Sequence, residues 1–315
     1  MKSSLRILFF LLITFSAHVN GAPHLILHID VNQTLVATDK AGDKSVENSL
    51  NEMLAKKYLG RWDPNLPEEV SFYHYVNKIM IPGPAYDSEL YKQRKRYIQH
   101  FLDYLQEHNN PLYESALSDY KSALKVLNSS ESTVFPSFYC LIEELNKQQI
   151  SYSIILRSFG KELLDVRKEI NSHCNGMISQ TAKFQEGKLY LDNGKVIENG
   201  QEIYLALKGI GHVAIGDDWN YWNSHGLTAQ HGKPFYIDRS DMKTLSIFFD
   251  DHIDETDPIK NIICPLDAKT NQLIPIKELA ELGLAVHVET LQAILNKNYF
   301  IDHVEKAVAN HRRDP

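Results

Sequence analysis

The sequence is poor in the residues that staple small exported scaffolds: it has three cysteines in 315 residues. A disulfide framework is excluded, because at most one intrachain pair can form and one thiol is left over. The spacing of Cys140, Cys174 and Cys264 matches no zinc signature, and Cys140, within an apolar helical pattern, reads as a buried small hydrophobe. Glycine (15) and proline (12) are too sparse for a collagen or a low-complexity chain. Basic residues number 33 against 40 acidic ones, a formal charge of −7, so no nucleic-acid partner is expected. Long apolar runs are missing except at the N-terminus, which excludes a polytopic membrane protein. What is there, 43% hydrophobic and 23% charged residues, is the composition of a globular chain. Its length allows one large domain or a core with a sizeable insertion.

Residues 1–22 are predicted to be an export signal. Lys2 and Arg6 supply the positive start, Ile7–Phe15 the apolar stretch, and Gly21 and Ala22 the small residues near a cleavage point. Cleavage after Gly21 is favoured, since Pro23 would otherwise follow the cut. The apolar run is shorter than the roughly 20 residues of a spanning helix. The expected location is therefore secreted or periplasmic, with no stable membrane anchor after cleavage.

Short, nearly continuous apolar runs then recur, each ending on a polar residue: His24–Asp30, Tyr152–Ser158, His212–Asp217 and Leu245–Asp251, with Asn261–Cys264 a candidate fifth. Such runs suit strands covered on both faces. Between them lie helical patterns, such as Phe138, Leu141, Ile142 and Leu145, then Leu163, Leu164, Val166 and Ile170. This alternation predicts an α/β fold with a doubly wound parallel sheet, whose ligands sit at the carboxyl ends of the strands. The apolar spacing in Val46–Leu59, Ser88–Glu107 and Glu114–Leu127 predicts a helical block interrupting the first crossover. The domains are expected as a core of residues 23–43 and 133–315 and a helical cap of 44–132. Lys188–Ile197, built around Asp192-Asn193-Gly194, predicts a hairpin. Ile276–Leu282 and Val288–Val308 are expected as closing helices.

The first strand end reads Asp30-Val-Asn-Gln-Thr34. An Asp at the tip of a buried strand suits a carboxylate nucleophile, which attacks phosphorus and splits hydrolysis into two easier steps through an aspartyl-phosphate. Such chemistry needs cations and donors to offset repulsion between two anions. Later strand ends offer Ser158, a lysine, and the acids Asp250, Asp251 and Asp254. Lys233 is the preferred lysine, because Lys243 immediately precedes the fourth strand and should lie at its opposite end.

In order and strand context these residues resemble the haloacid dehalogenase superfamily: an Asp-x-Asp-x-Thr-like first strand end, a Ser or Thr ending the second strand, a Lys, and an acidic strand end. The resemblance spans about residues 24 to 255. It implies a Rossmann-like core with a cap inserted after the first strand, and a Mg²⁺-dependent phosphohydrolase acting on a small phosphorylated molecule. It makes Asp30 the nucleophile and a metal ligand, joined by the backbone carbonyl of Asn32 and by Asp250 or Asp251. Ser158, Thr34 and Lys233 would serve the phosphoryl group. Asp217 and Asp218 look like a rival acidic motif, but Tyr221 stands where a further acid is needed; they are expected as supporting or substrate contacts. Trp219, Tyr221 and Trp222 beside them are expected in packing rather than as a stacking platform.

Position 32 departs from the pattern. The superfamily's phosphatases usually have an Asp there that protonates the leaving group, and Asn32 has no proton to give. Either the substrates carry good leaving groups (acyl or aryl phosphates, anhydrides), or His28, His231 or His252, the last the best placed by sequence, supplies the acid. A general acid contributes about 10²–10⁴-fold, so slow turnover is also expected. The alternative reading is a catalytically silent module whose helical block binds a protein partner. Phosphoryl transfer to an alcohol is a third.

Overall fold

The computed structural model describes residues 21–37, 45–84, 88–257 and 259–312. Residues 1–20 of the expected export signal and 38–43 of the expected core boundary lie outside this set. No helix among the described residues is long and apolar enough to cross a membrane.

Among the described residues, twelve strands form three sheets. In chain order they are β1 (His24–Asp30), β2 (Leu59–Gly60), β3 (Val70–Ser71), β4 (Tyr152–Ser158), β5 (Gln180–Gln185), β6 (Lys188–Leu191), β7 (Val196–Ile197), β8 (Val213–Gly216), β9 (Lys233–Ile237), β10 (Thr244–Asp250), β11 (Ile263–Asp267) and β12 (Ala285–His287). The central sheet has eight strands in the order β12-β10-β1-β4-β8-β5-β6-β7. Strands β12 through β5 run parallel, and β6 and β7 add an antiparallel edge. The protein is thus α/β with a mostly parallel sheet flanked by helices. From β1 the chain winds outward to β4 and β8, then returns to β10 on the other side of β1. That reversal opens a crevice at the carboxyl ends of β1 and β10.

Alternation along each strand divides the core. Leu25, Leu27 and Ile29 pack on one face with Ile154, Leu156, Ile247 and Phe249, beneath helices Pro136–Lys147, Leu163–His173 and Tyr299–His311. Ile26, Ile155, Val213 and Ile215 point the other way, toward helix Gly200–Gly209. The helices start where the sequence offers caps. Ser45 accepts from Asn48 N ahead of Val46–Lys57, Asn199 from Gln201 N and Glu202 N, and Pro136 sits in the first turn of its helix.

The helical block contains Val46–Lys57, Phe72–His74 running into a π-helical turn over Tyr75–Met80, Ser88–Gln99, Phe101–Glu107 and Tyr113–Ser129. Its Leu50, Leu54, Phe72, Phe101 and Leu105 belong to the same buried cluster as Leu25 and Leu27, so the block shares a core with the sheet.

Some elements differ from expectation. Ser88–Glu107 is two helices that part at His100, whose backbone is non-helical. The closing helix divides into Thr290–Leu295 and Tyr299–His311, because Asn296 turns its side chain onto Asn298 N. The expected fifth strand, β11, is not in the central sheet but pairs with β9. Pro234 and Pro265 lie inside these strands and lack a backbone donor, which suits a two-stranded pair better than a central position. Cys264, not Cys140, is the buried thiol, and all three cysteines are free.

Candidate active site

Strand register sets the site. β1 lies between β10 and β4, so Asp30, Asp250 and Ser158 end side by side, and Asp30 is level with Arg157. Beyond Asp30 the chain turns back at once, with Leu35 N and Val36 N both donating to Val31 O. The turn holds Gln33 at φ +56°, a left-handed conformation that costs a residue with a Cβ. Three contacts sustain it: Gln33 N donates to Val36 O, Thr290 Oγ1 donates to Gln33 O, and Lys56 Nζ donates to Gln33 Oε1.

Lys233 opens strand β9 and reaches into the cluster fully buried. Its Nζ lies 2.5 Å from Asp30 Oδ1 and 2.7 Å from Asp250 Oδ2. Burial alone would lower the lysine's pKa, but Asp250 and Asp30 outweigh it and hold the ammonium charged. Burial, reinforced by Asp250 and Asp251, pushes the Asp30 carboxyl well above its ordinary value against the pull of Lys233. Asp251 points to another set of partners. Burial would raise its carboxyl, yet His252, Lys56 and Lys233 bring it down to about 2. His252 Nδ1 lies 2.8 Å from Asp251 Oδ1, and the carboxylate in turn raises the imidazole's pKa.

The cluster carries more negative charge than its lysines cancel. Asp30, Asp250, Asp251, Glu52 and Glu162 are all buried, and Lys233 and Lys56 face them. Asp251 Oδ2 is buried without a hydrogen-bond partner, although Lys56 Nζ is 3.9 Å away. Oxygen donors in excess, with one orphaned, fit a hard divalent cation. Asp250, Asp251 and His252 can bring ligand atoms within 4.8 Å of one another. Of the expected ligands, Asp250 and Asp251 belong to this group, whereas Asp30 meets Asp250 through the Lys233 ammonium.

Several expected residues have other duties. Thr34 is buried, and its hydroxyl accepts from Asp251 N, so it fixes the loop after β1 to the end of β10. Asp254 is not in the cluster: it is exposed, accepting from Thr256 N, Thr256 Oγ1 and Asp257 N in a local turn. Asp217 is no substrate contact, because both its oxygens are taken by Arg157, at 3.0 Å from Nε and 2.5 Å from Nη2, with both side chains buried. Asp218 caps helix Trp219–Ser224 by accepting from Tyr221 N. His28 offers no proton: it is buried between Phe235 and Phe248 with its Nδ1 toward Arg157, and burial keeps its pKa well below 6.5.

Ser158 does lie at the site, but it is engaged. Its Oγ donates to Glu162 Oε1 at 2.5 Å and accepts from Gly160 N at 2.9 Å. Asn32 Nδ2 donates to the same Glu162 oxygen at 2.9 Å. A Cβ at Gly160 would lie 2.1 Å from each Glu162 carboxylate oxygen, so the absence of a side chain there makes the room. An Asp at position 32 would set a second carboxylate against Glu162; a neutral donor suits this partner.

Sequence reasoning missed Glu162, Lys56 and Arg157. Arg157 left a readable signal, since a charge inside an apolar strand run needs a buried partner and Asp217 ends the neighbouring strand. Glu162 reads as an ordinary acid ahead of a helix, and Lys56 comes from the helical block with no motif to announce it. The cluster opens into a cavity of about 1650 Å³, walled by Tyr73, Asn77, Tyr91 and Lys95 of the helical block and by Phe159, Phe184 and Trp219 of the sheet side. No family model, curated protein or solved structure matches this chain.

Proposed function

We propose that this protein is an exported, Mg²⁺-dependent phosphohydrolase of haloacid dehalogenase type, with the helical block as its cap. The observation that carries the reading is Lys233 joining Asp30 to Asp250 at the carboxyl ends of two adjacent parallel strands. Asp30 attacks phosphorus and forms the aspartyl-phosphate, which water then hydrolyses. Lys233 holds Asp30 in place and opposes the rise in its pKa caused by burial, favouring the carboxylate needed for attack, and Ser158 and the Asn32 amide donate to the phosphoryl oxygens once Glu162 has moved aside. Bound Mg²⁺ would neutralise phosphoryl charge as a Lewis acid. Asn32 has no acid to offer, so rates depend on the leaving group.

The test is release of phosphate from a chromogenic aryl phosphate and from acetyl phosphate in Mg²⁺. Turnover that is lost with a chelator and in Asp30→Asn supports the enzyme. Equal background in wild type and variant overturns it.

One observation favours the second reading, a silent binding module: Glu162 already occupies the donors a substrate anion would need. The two readings differ in what happens when that carboxylate is neutralised. For an enzyme whose anion site Glu162 covers, Glu162→Gln should tighten inorganic phosphate binding, measured by calorimetry in Mg²⁺, by about tenfold, because one anion–anion contact is removed. Gly160→Ala should act the same way by displacing the carboxylate. A silent module binds no phosphate in wild type or in either variant.

A further inference from the structure

We infer that the substrate is a phosphate monoester of a phenol, and that Trp219 and Phe159 hold its aromatic leaving group. The inference rests on the phosphohydrolase reading and adds the substrate class.

An aromatic wall begins beside the reacting groups. Lys233 Nζ, in contact with Asp30, sits 5.0 Å from the centre of the Phe159 ring. Phe159 lies stacked on Trp222 at 5.3 Å and edge-on to Trp219 at 5.6 Å. The two tryptophans play different parts. Trp222 is buried and its indole N–H donates to Asn261 O, so it is packing. Trp219, expected in packing, is instead 45% exposed and lines the cavity, an open π surface next to Phe159. An exposed large aromatic in the cavity that Asp30 also lines is costly to leave in water and offers a face to a planar group.

The proton inventory on that side points the same way. Phe159 follows β4 and Trp219 follows β8, whereas His252 follows β10 on the opposite side of β1 and is bound to Asp251. At the strand tips on that side stand Asn32, which cannot protonate, and Glu162, whose carboxylate is bound by Ser158 and Asn32; Lys183, Tyr221, His225 and Lys233 also line the cavity. A leaving group that receives no proton from Asn32 or Glu162 departs as an anion. A phenol, with a pKa of about 10 as in tyrosine, does so far more readily than an alkyl alcohol, whose pKa is near the 15.7 of water. An Asp30 oxygen forms a bond to phosphorus while the bond to the phenolic oxygen breaks, and the aryloxide leaves with the electron pair and takes a proton from solvent. Water then attacks the aspartyl-phosphate, releasing inorganic phosphate and a solvent proton and restoring the Asp30 carboxylate.

The experiment compares kcat/KM in Mg²⁺ for phenyl phosphate, glycerol phosphate, a nucleoside monophosphate and acetyl phosphate, in wild type, Trp219→Ala and Trp219→Phe. Phenyl phosphate should exceed both alkyl esters, glycerol phosphate and the nucleotide, by about 10²-fold, the lower range of a missing general acid. Trp219→Ala should lower the phenyl-to-acetyl ratio about tenfold, through KM, and Trp219→Phe should restore most of it. Alkyl esters equal to phenyl phosphate, a preferred nucleotide, or an unchanged ratio in Trp219→Ala overturns the inference and leaves the phosphohydrolase standing. No turnover of any of the four, acetyl phosphate included, overturns both.

Discussion

Replacing Lys233 with methionine is expected to lower the unfolding free energy at pH 7 by about 3–5 kcal/mol, the cost of removing one partner from a buried ion pair. The lysine is fully buried and bridges two buried carboxylates, so its loss leaves Asp30 and Asp250 facing each other without a cation. Urea denaturation with an unchanged slope measures this. Lys243→Met is the control: its side chain is exposed at the amino end of β10, and the change should stay within about 0.5 kcal/mol. Adding Asp30→Asn to Lys233→Met should recover part of the loss, because one stranded charge is gone, and the coupling is read from the double-mutant cycle. A loss below about 1 kcal/mol in Lys233→Met would mean the cluster is solvated rather than closed.

Arg157→Met should cost a similar amount for a related reason. The guanidinium grips Asp217 with two nitrogens, donates to Pro234 O at 2.9 Å, and packs on the rings of Phe184 and Phe248. Without it Asp217 is buried with no cation, a loss of about 3–5 kcal/mol. Arg157→Lys should recover little, since a point ammonium cannot make the two-pronged contact. Arg157→Met with Asp217→Leu should be close to wild type, because an apolar pair of similar volume needs no compensation. Thermal or urea unfolding of the three variants decides this.

Lys233 and Arg157 differ in how far the sequence reveals them. Lys233 is the preferred lysine because Lys243 immediately precedes the fourth strand, and Lys233 stands against Asp30. Arg157 is visible as a charge inside an apolar strand run, and its buried pair with Asp217 fits the supporting role expected of that acid rather than the substrate contact that was its alternative. Asp254 has the spacing from Asp250 that an acidic motif suggests, yet it lies outside the cluster. The chain leaves the sheet after Asp250, so spacing along it no longer measures distance in space. Glu162 illustrates the same limit: a side chain four residues past a strand end folds back onto it only because Gly160 has no Cβ there.

The amino-acid sequence by itself determined the alternating α/β elements and the polar residues at the strand tips, since buried parallel strands need unbroken apolar runs and end where these stop. Only the tertiary structure decided which tips share a site, that β9 and β11 stand apart from the main sheet, and that Lys56 and Glu162 enter the acidic cluster. Those outcomes depend on strand order and on charges seeking partners across the fold, neither of which is written in local spacing.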